Sequence, residues 1–231
     1  MAPCSSRRNP SKNVLLAQSF QEFFDIFWKA PIGIFQSTPE GRFISANPAW
    51  AAMCGYDTPE QLIDSVTDIA AQIYHNPQER EAFQMLLEQK GQVIDYEYRL
   101  CRTDGSLLWV AENVRAVWDD QGRIAYYQGF ATDITKRKQA EETVRESEER
   151  FAKAFMSNPA PQVISDIKTG RFMDVNEKWT KMLGYTRSEM IGRTSKQVGI
   201  WDDPSDRDRI IFKLHKEDRV KDVIGQCYGS I

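Results

Sequence analysis

From Ser19 to Lys29 the apolar residues Phe20, Phe23, Phe24, Phe27 and Trp28 fall at i, i+3, i+4, i+7 and i+8, the spacing of one sticky helical face. Pro31 stops that helix. Ile32-Gly33-Ile34-Phe35 and Arg42-Phe43-Ile44, separated by Pro39-Glu40-Gly41, then predict two short strands around a turn. Asn47-Pro48 supplies a side-chain cap followed by proline at the first helical position, and the short helix so started ends at Gly55. Thr58-Pro59-Glu60 begins another small helix, and Asn76-Pro77 a longer one that carries Phe83, Leu86 and Leu87 to Gly91. Ile94, Tyr96, Tyr98 and Leu100 alternate with Asp95, Glu97 and Arg99, the pattern of a half-buried strand. Turns at Thr103-Asp104-Gly105 and Asp119-Asp120-Gln121-Gly122 set off two more strands, Leu107 to Trp118 and Ile124 to Ile134. The order of two strands, short helices and three strands predicts an α+β domain built on one antiparallel sheet.

Past that domain the period changes. Between Lys136 and Ala154, Ala140, Val144, Ser147, Phe151 and Ala154 recur in 4-3-4-3 spacing, amid opposite charges four residues apart such as Glu146 and Arg150. A connecting helix with a narrow apolar seam is expected. Beyond it the chain repeats itself: Gly41-Arg42-Phe43, Asn47, Trp50, Met53, Gly55-Tyr56 and Glu60 return as Gly170-Arg171-Phe172, Asn176, Trp179, Met182, Gly184-Tyr185 and Glu189, always 129 positions later. Self-similarity at domain length means two copies of one module, since a solenoid repeats every ~20–50 residues. The expected divisions are a disordered lead-in over 1–18, a first domain over 19–135, the connecting helix over 136–154 and a second copy over 155–231.

The offset sets Ile231 against Arg102, so the second copy reads as incomplete at its C-terminus. Its strands Val163–Ile167 and Phe172–Val175 would lack the neighbours that the counterparts of Leu107–Trp118 and Ile124–Ile134 provide. A further strand around Val223 to Tyr228 would stand apart from them.

Composition narrows the function classes. A hydrophobic fraction of 41% supports packed cores, and 30 basic against 33 acidic residues give a net charge of −3 with no general pull toward nucleic acid. Cys4, Cys54, Cys101 and Cys227 have neither disulfide-framework nor zinc spacing, which fits a reducing, cytoplasmic setting. The stretch Val14-Leu15-Leu16-Ala17 is too short for a signal peptide, and no run approaches the ~20 residues of a membrane span. Only His75 and His215 are present, and neither sits in a nucleophile, metal or phosphate motif, so no catalytic domain is expected in this chain.

In their order and spacing, Ala30-Pro31-Ile32-Gly33-Ile34, Gly41-Arg42-Phe43, Asn47-Pro48-Ala49-Trp50, Gly55-Tyr56, Arg102-Thr103-Asp104-Gly105-Ser106, Trp109-Val110 and Asp133-Ile134-Thr135 resemble the PAS sensory domains of bacterial signalling proteins. Ser147-Glu148-Glu149-Arg150-Phe151 looks like the usual lead into a following PAS copy. The resemblance implies a five-stranded antiparallel sheet with short helices on one face, enclosing a cavity that holds a small ligand or is filled by side chains. Phe35, Trp50, Met53, Ile73, Phe83, Tyr96, Tyr98 and Trp109 are the candidate cavity residues.

The family relay runs from the last strand into a coiled-coil helix. Here that path is Phe130, Asp133 and Thr135 into Ala140, Val144, Ser147 and Phe151, with homodimerisation through the helix. Cys54 lies in Ala-Ala-Met-Cys-Gly-Tyr, not in the Asn-Cys-Arg-Phe-Leu-Gln run of flavin-binding relatives, and His75 precedes the helix that carries the axial ligand in haem-binding ones. Neither flavin nor haem is expected. The resulting expectation is a sensory relay region of a cytoplasmic signalling protein such as a sensor histidine kinase, with a diguanylate cyclase input region or a stand-alone ligand-binding PAS protein as alternatives.

Overall fold

The computed structural model describes residues 21–22 and 24–217, which divide into two compact units meeting between Glu141 and Glu142. The lead-in over 1–18, Phe20 and Phe23 of the first stripe, and the strand expected near Val223 lie outside the described residues.

In the first unit, helix α1 (24–29) precedes β1 (Gly33–Ser37) and β2 (Phe43–Ala46). Four helices follow: α2 (Pro48–Cys54), α3 (Pro59–Ser65), α4 (Ile69–Gln72) and α5 (Pro77–Lys90). The strands β3 (Gln92–Cys101), β4 (Leu107–Trp118) and β5 (Ile124–Asp133) complete one antiparallel sheet in the order β2-β1-β5-β4-β3. Chain order and sheet order differ because β5 returns to pair with β1, Gly33 opposite Ala131 through Ser37 opposite Tyr127.

Local chemistry sets the helix ends. The Asn47, Thr58, Asp68 and Asn76 side chains each accept a backbone N–H of the first turn they cap. Gly55 closes α2 at φ 87°, a left-handed conformation that costs most side chains about 1 kcal/mol or more and glycine little. The same conformation at Gly184 explains why this glycine recurs. One helix, α4, has no signature in the periodicity: it is a single turn capped by Asp68 that buries Ile69.

The helices lie on one face of the sheet, and between them sits a core of twenty buried residues around Trp50, Phe83, Leu87, Tyr98 and Leu100. Burying each large apolar side chain contributes ~1.5–3 kcal/mol. Trp50 stacks on Phe35 at 4.9 Å between ring centroids and meets Phe43 edge-on. A Cβ on Gly33 would lie 2.7 Å from the Trp50 ring, and one on Gly129 would lie 2.5 Å from Phe35, so both glycines make room for these rings.

The alternation of β3 does not persist to its start. Val93 pairs with Val114 and Tyr96 with Glu112, so one extra residue bulges out between them. Asp95 takes φ 53° there, and its N–H donates to Asn113 Oδ1 at 3.1 Å. The bulge turns Ile94 outward, 65% exposed, and Val93 inward, which corrects the simple alternation expected from Ile94 to Leu100.

Helix α6 (Thr135–Ser157) begins directly after β5 and runs three residues beyond the expected Ala154. The second unit continues with β6 (Val163–Ser165), β7 (Phe172–Val175), α7 (Glu177–Leu183), α8 (Arg187–Met190), α9 (Ser195–Val198) and α10 (Pro204–Glu217). Strand β6 stops short of Ile167 because Asp166 turns the chain, its carboxylate accepting from Thr169 N–H and its carbonyl from Gly170 N–H. Among the described residues this unit holds a two-stranded sheet and a core of five buried residues.

Candidate functional site

The face of the first sheet beneath α2–α5 gathers most of the sequence-predicted cavity residues. Phe35, Trp50, Ile73, Phe83 and Tyr98 are buried there, while Met53 and Tyr96 are partly buried against them. The rings pack on one another: Tyr74 stacks on Tyr98 at 4.0 Å and Phe83 leans on Tyr96 at 4.6 Å.

Two charged side chains are sealed within this aromatic interior. Glu112 of β4 accepts a 2.7 Å hydrogen bond from the Tyr98 hydroxyl, and burial pushes its carboxyl up to about 7 against the opposing pull of Tyr98 and Arg80. Arg80, in the first turn of α5, is 3% exposed. Its guanidinium carbon lies 5.7–5.8 Å from the ring centroids of Tyr74, Phe83 and Tyr127, a three-sided aromatic cage.

The cage leaves polar atoms without partners. Arg80 Nε and Nη2, the Tyr74 and Tyr127 hydroxyls and Ser37 Oγ are all buried and make no hydrogen bond among the described residues. Arg80 faces the Tyr74 hydroxyl closely enough to oppose the upward push of burial on that phenol, without closing a bond of ordinary geometry. Each unpaired buried polar group costs roughly 1–3 kcal/mol. Sequence reading missed this cluster, although Arg80 stands on the stripe 80, 83, 87 and Glu112 on the inward alternation 108, 110, 112, 114.

Trp109 belongs to a different place. It lies between buried Leu108 and Val110 on β4, so its side chain leaves by the opposite face, where Arg99 sits 5.9 Å and Lys138 5.3 Å from its ring centroid. There it marks the junction of sheet and helix. Trp109 N–H donates to Thr135 Oγ1 at 3.0 Å, its carbonyl accepts from Ile134 N–H at 2.9 Å, and Asp133 Oδ1 accepts from Thr135 N–H at 2.8 Å. Glu97 on β3 grips the first helical turn with both oxygens, one 2.6 Å from Arg137 and the other 2.5 Å from Lys138. Hydrogen bonds from Lys138 and then Arg137 hold its carboxyl below the usual glutamate value.

Farther along α6, the seam residues Ala140, Val144, Ser147, Phe151 and Ala154 are exposed, Val144 by 57% and Phe151 by 60%. Arg145 pairs with Glu142 and Glu149, while Glu141 pairs with Arg137. These exposed ion pairs contribute little individually, about 0–1 kcal/mol each.

The repeated asparagine links each module to the helix before it. Asn47 Oδ1 accepts from Ile34 and Trp50 N–H, and its Nδ2 donates to the Phe27 and Ile32 carbonyls. Asn176 likewise accepts from Gln162 and Trp179 and donates to Phe155 and Ala160. Cys54 is buried in α2, where desolvation pushes its thiol well above the ordinary value, so it packs as a small apolar group. His75 is exposed in the loop before α5. Among the described residues no helix is long and apolar enough to cross a membrane, and no cluster of three or more His, Cys, Asp or Glu is arranged to hold a metal.

Comparison with known proteins places this architecture. Residues 31–136 match the family described as PAS domain and residues 149–222 the family described as PAS fold. The sensor histidine kinase TmoS of Ectopseudomonas mendocina is 23% identical over 153 residues, 66% of this chain and 16% of that kinase. Sporulation kinase C of Bacillus subtilis is 21% identical over 152 residues, 66% of this chain and 34% of the kinase, so this chain spans less than two thirds of either relative. A sensory box histidine kinase/response regulator structure from Burkholderia thailandensis is 24% identical, covers 57% of this chain and 98% of its own, and superposes with a TM-score of 0.46. With family matches in both units and the same strand pair and asparagine-capped helix in each, the chain belongs to the PAS family as a tandem of two domains.

Proposed function

We propose that this chain is the sensory and signal-relay region of a cytoplasmic bacterial signal-transduction protein, a sensor histidine kinase, in which the core of the first PAS domain sets the state of α6. The observation that carries this reading is the junction at Trp109, Asp133 and Thr135, reinforced by Glu97. Through it, a shift of β3 or β4 is transmitted to the first turn of a 23-residue helix by direct hydrogen bonds and ion pairs, not by a flexible linker. The kinase relatives support the assignment. A diguanylate cyclase input region would use the same junction.

Helix α6 also supplies the surface for a second copy of the chain. Val144 and Phe151 lie on one seam with Ala140, Ser147 and Ala154, and parallel pairing of two such seams would bury them. Sedimentation of the full chain tests this: a dimer that Val144→Glu weakens is expected. A monomer at high concentration, with and without the substitution, would refute the dimeric relay.

A second reading, a ligand-binding protein whose cavity chemistry is itself the function, is favoured by one observation: the unpartnered polar atoms around Arg80. The two readings are compatible when the ligand is what the first domain senses.

A further inference from the structure

We propose that the core of the first PAS domain is a receptor for a small organic monocarboxylate, held by the Nε–Nη2 edge of Arg80 with the Tyr74 and Tyr127 hydroxyls beside it. This rests on the sensory reading above and names the chemistry sensed. A buried arginine is costly unless an anion pairs with it, and Arg80 has no ion pair among the described residues. Its place in the first turn of α5 adds to the cost, because the N-terminal end of a helix disfavours positive charge. Three aromatic faces offset part of this. They do not satisfy the N–H groups.

The geometry of the unsatisfied atoms selects the ligand. Nε and Nη2 form one edge of the guanidinium, and two parallel N–H donors on one edge match the two oxygens of a carboxylate. Tyr127 borders the guanidinium and is the register partner of Ser37, so the unpaired Tyr127 hydroxyl and Ser37 Oγ emerge on the same inner face of the β1–β5 pair. Together with the Tyr74 hydroxyl they can meet a further polar group on the ligand or the carboxylate itself. The side chains packed around these polar atoms are rings and aliphatic groups, which suits a ligand with an apolar body.

Charge limits the anion to one negative unit. Glu112 lies close enough to Arg80 for their charges to interact, and its raised pKa leaves it substantially protonated near neutrality, so it does not fully balance the cation. Among the described residues Arg80 is the cation that acts on Tyr74 and Tyr127, so a second negative charge on the ligand would be buried without a partner of its own. Inorganic phosphate is disfavoured for this reason.

The test uses the full chain with acetate, butyrate and benzoate, the matching amides butyramide and benzamide, and inorganic phosphate, all at equal ionic strength. Binding is read by calorimetry and by the NMR signal of the Arg80 Nε–H. At least one carboxylate is expected to bind and to move that signal, with its amide and phosphate leaving it in place. Arg80→Lys should weaken binding about tenfold or more by removing the two-pronged edge, and Tyr127→Phe should weaken it while keeping the ring that packs the core. Arg80→Met should abolish it, and thermal melting establishes that each variant is folded. No shift of the Arg80 signal with any carboxylate overturns the proposal, as does an equal response to carboxylate and phosphate that survives in Tyr127→Phe and Arg80→Lys. Neither failure touches the relay, which is read separately from the sedimentation of the dimer.

Discussion

Asn47 and Asn176, 129 positions apart, make matching bonds: each carboxamide oxygen accepts from the helix after it and from the segment before it, Ile34 within β1 for Asn47 and Gln162 just ahead of β6 for Asn176, and each amide nitrogen reaches back to the carbonyl of a phenylalanine in the preceding helix. A helix cap needs only one of these bonds. The others fasten the leading helix to the first strand, so one buried side chain holds three segments together.

Asn47→Ala should therefore cost more than an ordinary cap, about 2–4 kcal/mol, because several buried backbone groups lose their partner at once. Urea denaturation checks the value. Asn176→Ala should similarly destabilise the second domain and should speed amide exchange in the last turn of α6, whose Phe155 carbonyl it releases. A loss within about 1 kcal/mol, the range of a surface cap, would count against the three-way role.

The buried carboxyl of Glu112 should make the stability of the first domain fall as pH rises. Its pKa is raised from 4.5 to about 7 on folding, so the folded state binds the proton more tightly than the unfolded chain does. Relative stability is greatest below the unfolded value and declines as pH climbs to about 7, by ~3 kcal/mol in all. Glu112→Gln, which keeps the shape and a polar partner for the Tyr98 hydroxyl, should flatten that slope. Urea midpoints measured from pH 5 to 8 on both proteins, at about unit intervals, decide the matter.

Gly129 is held by close packing, not by its backbone angle. A methyl group there would strike both Phe35 and Val114, so Gly129→Ala should destabilise the first domain by about 1–3 kcal/mol. Trp50, stacked on Phe35, offers a fluorescence probe for the shift of that ring. An unchanged melting temperature would mean that Phe35 moves aside freely.

Hydrogen exchange should separate the two units. The first buries twenty core residues and the second five among the described residues, and the second sheet consists of β6 and β7 alone there. Slow exchange is expected in β4 and β5, and markedly faster exchange in β6 and β7. Equal protection would show that residues outside the described range complete the second core.

Much of the fold was legible because its punctuation is chemical. Asn47, Thr58, Asn76, Gly55 and Gly91 each mark a helix end through a bond or an angle that few other residues supply, and the helices begin and end where these residues stand. The register of β3 was not legible at its start, since a bulge at Asp95 depends on the partner Asn113 in another strand. Trp109 stands among the candidate cavity residues of the sequence, and the structure places it elsewhere. Its neighbours Leu108 and Val110 already showed which way the strand alternates, and position 109 faces the other way.

The interior cluster escaped for a related reason. Charged residues are ordinarily read as solvent-facing, and Arg80 and Glu112 look ordinary in a chain with 27% charged residues. Only their positions within the apolar periods of α5 and β4 set them apart. The cost of burying them is visible only once their missing partners can be counted.

The bulge at Ile94 and Asp95 also bears on how the protein remains dispersed. In the order β2-β1-β5-β4-β3 the outer strands are β2, four residues long, and β3, bent at its start with an aspartate in a left-handed conformation. A short strand and a kinked, charged one are both poor templates for another chain to add to. The first domain thereby offers no long, flat outer strand at either rim for edge-to-edge addition of another chain.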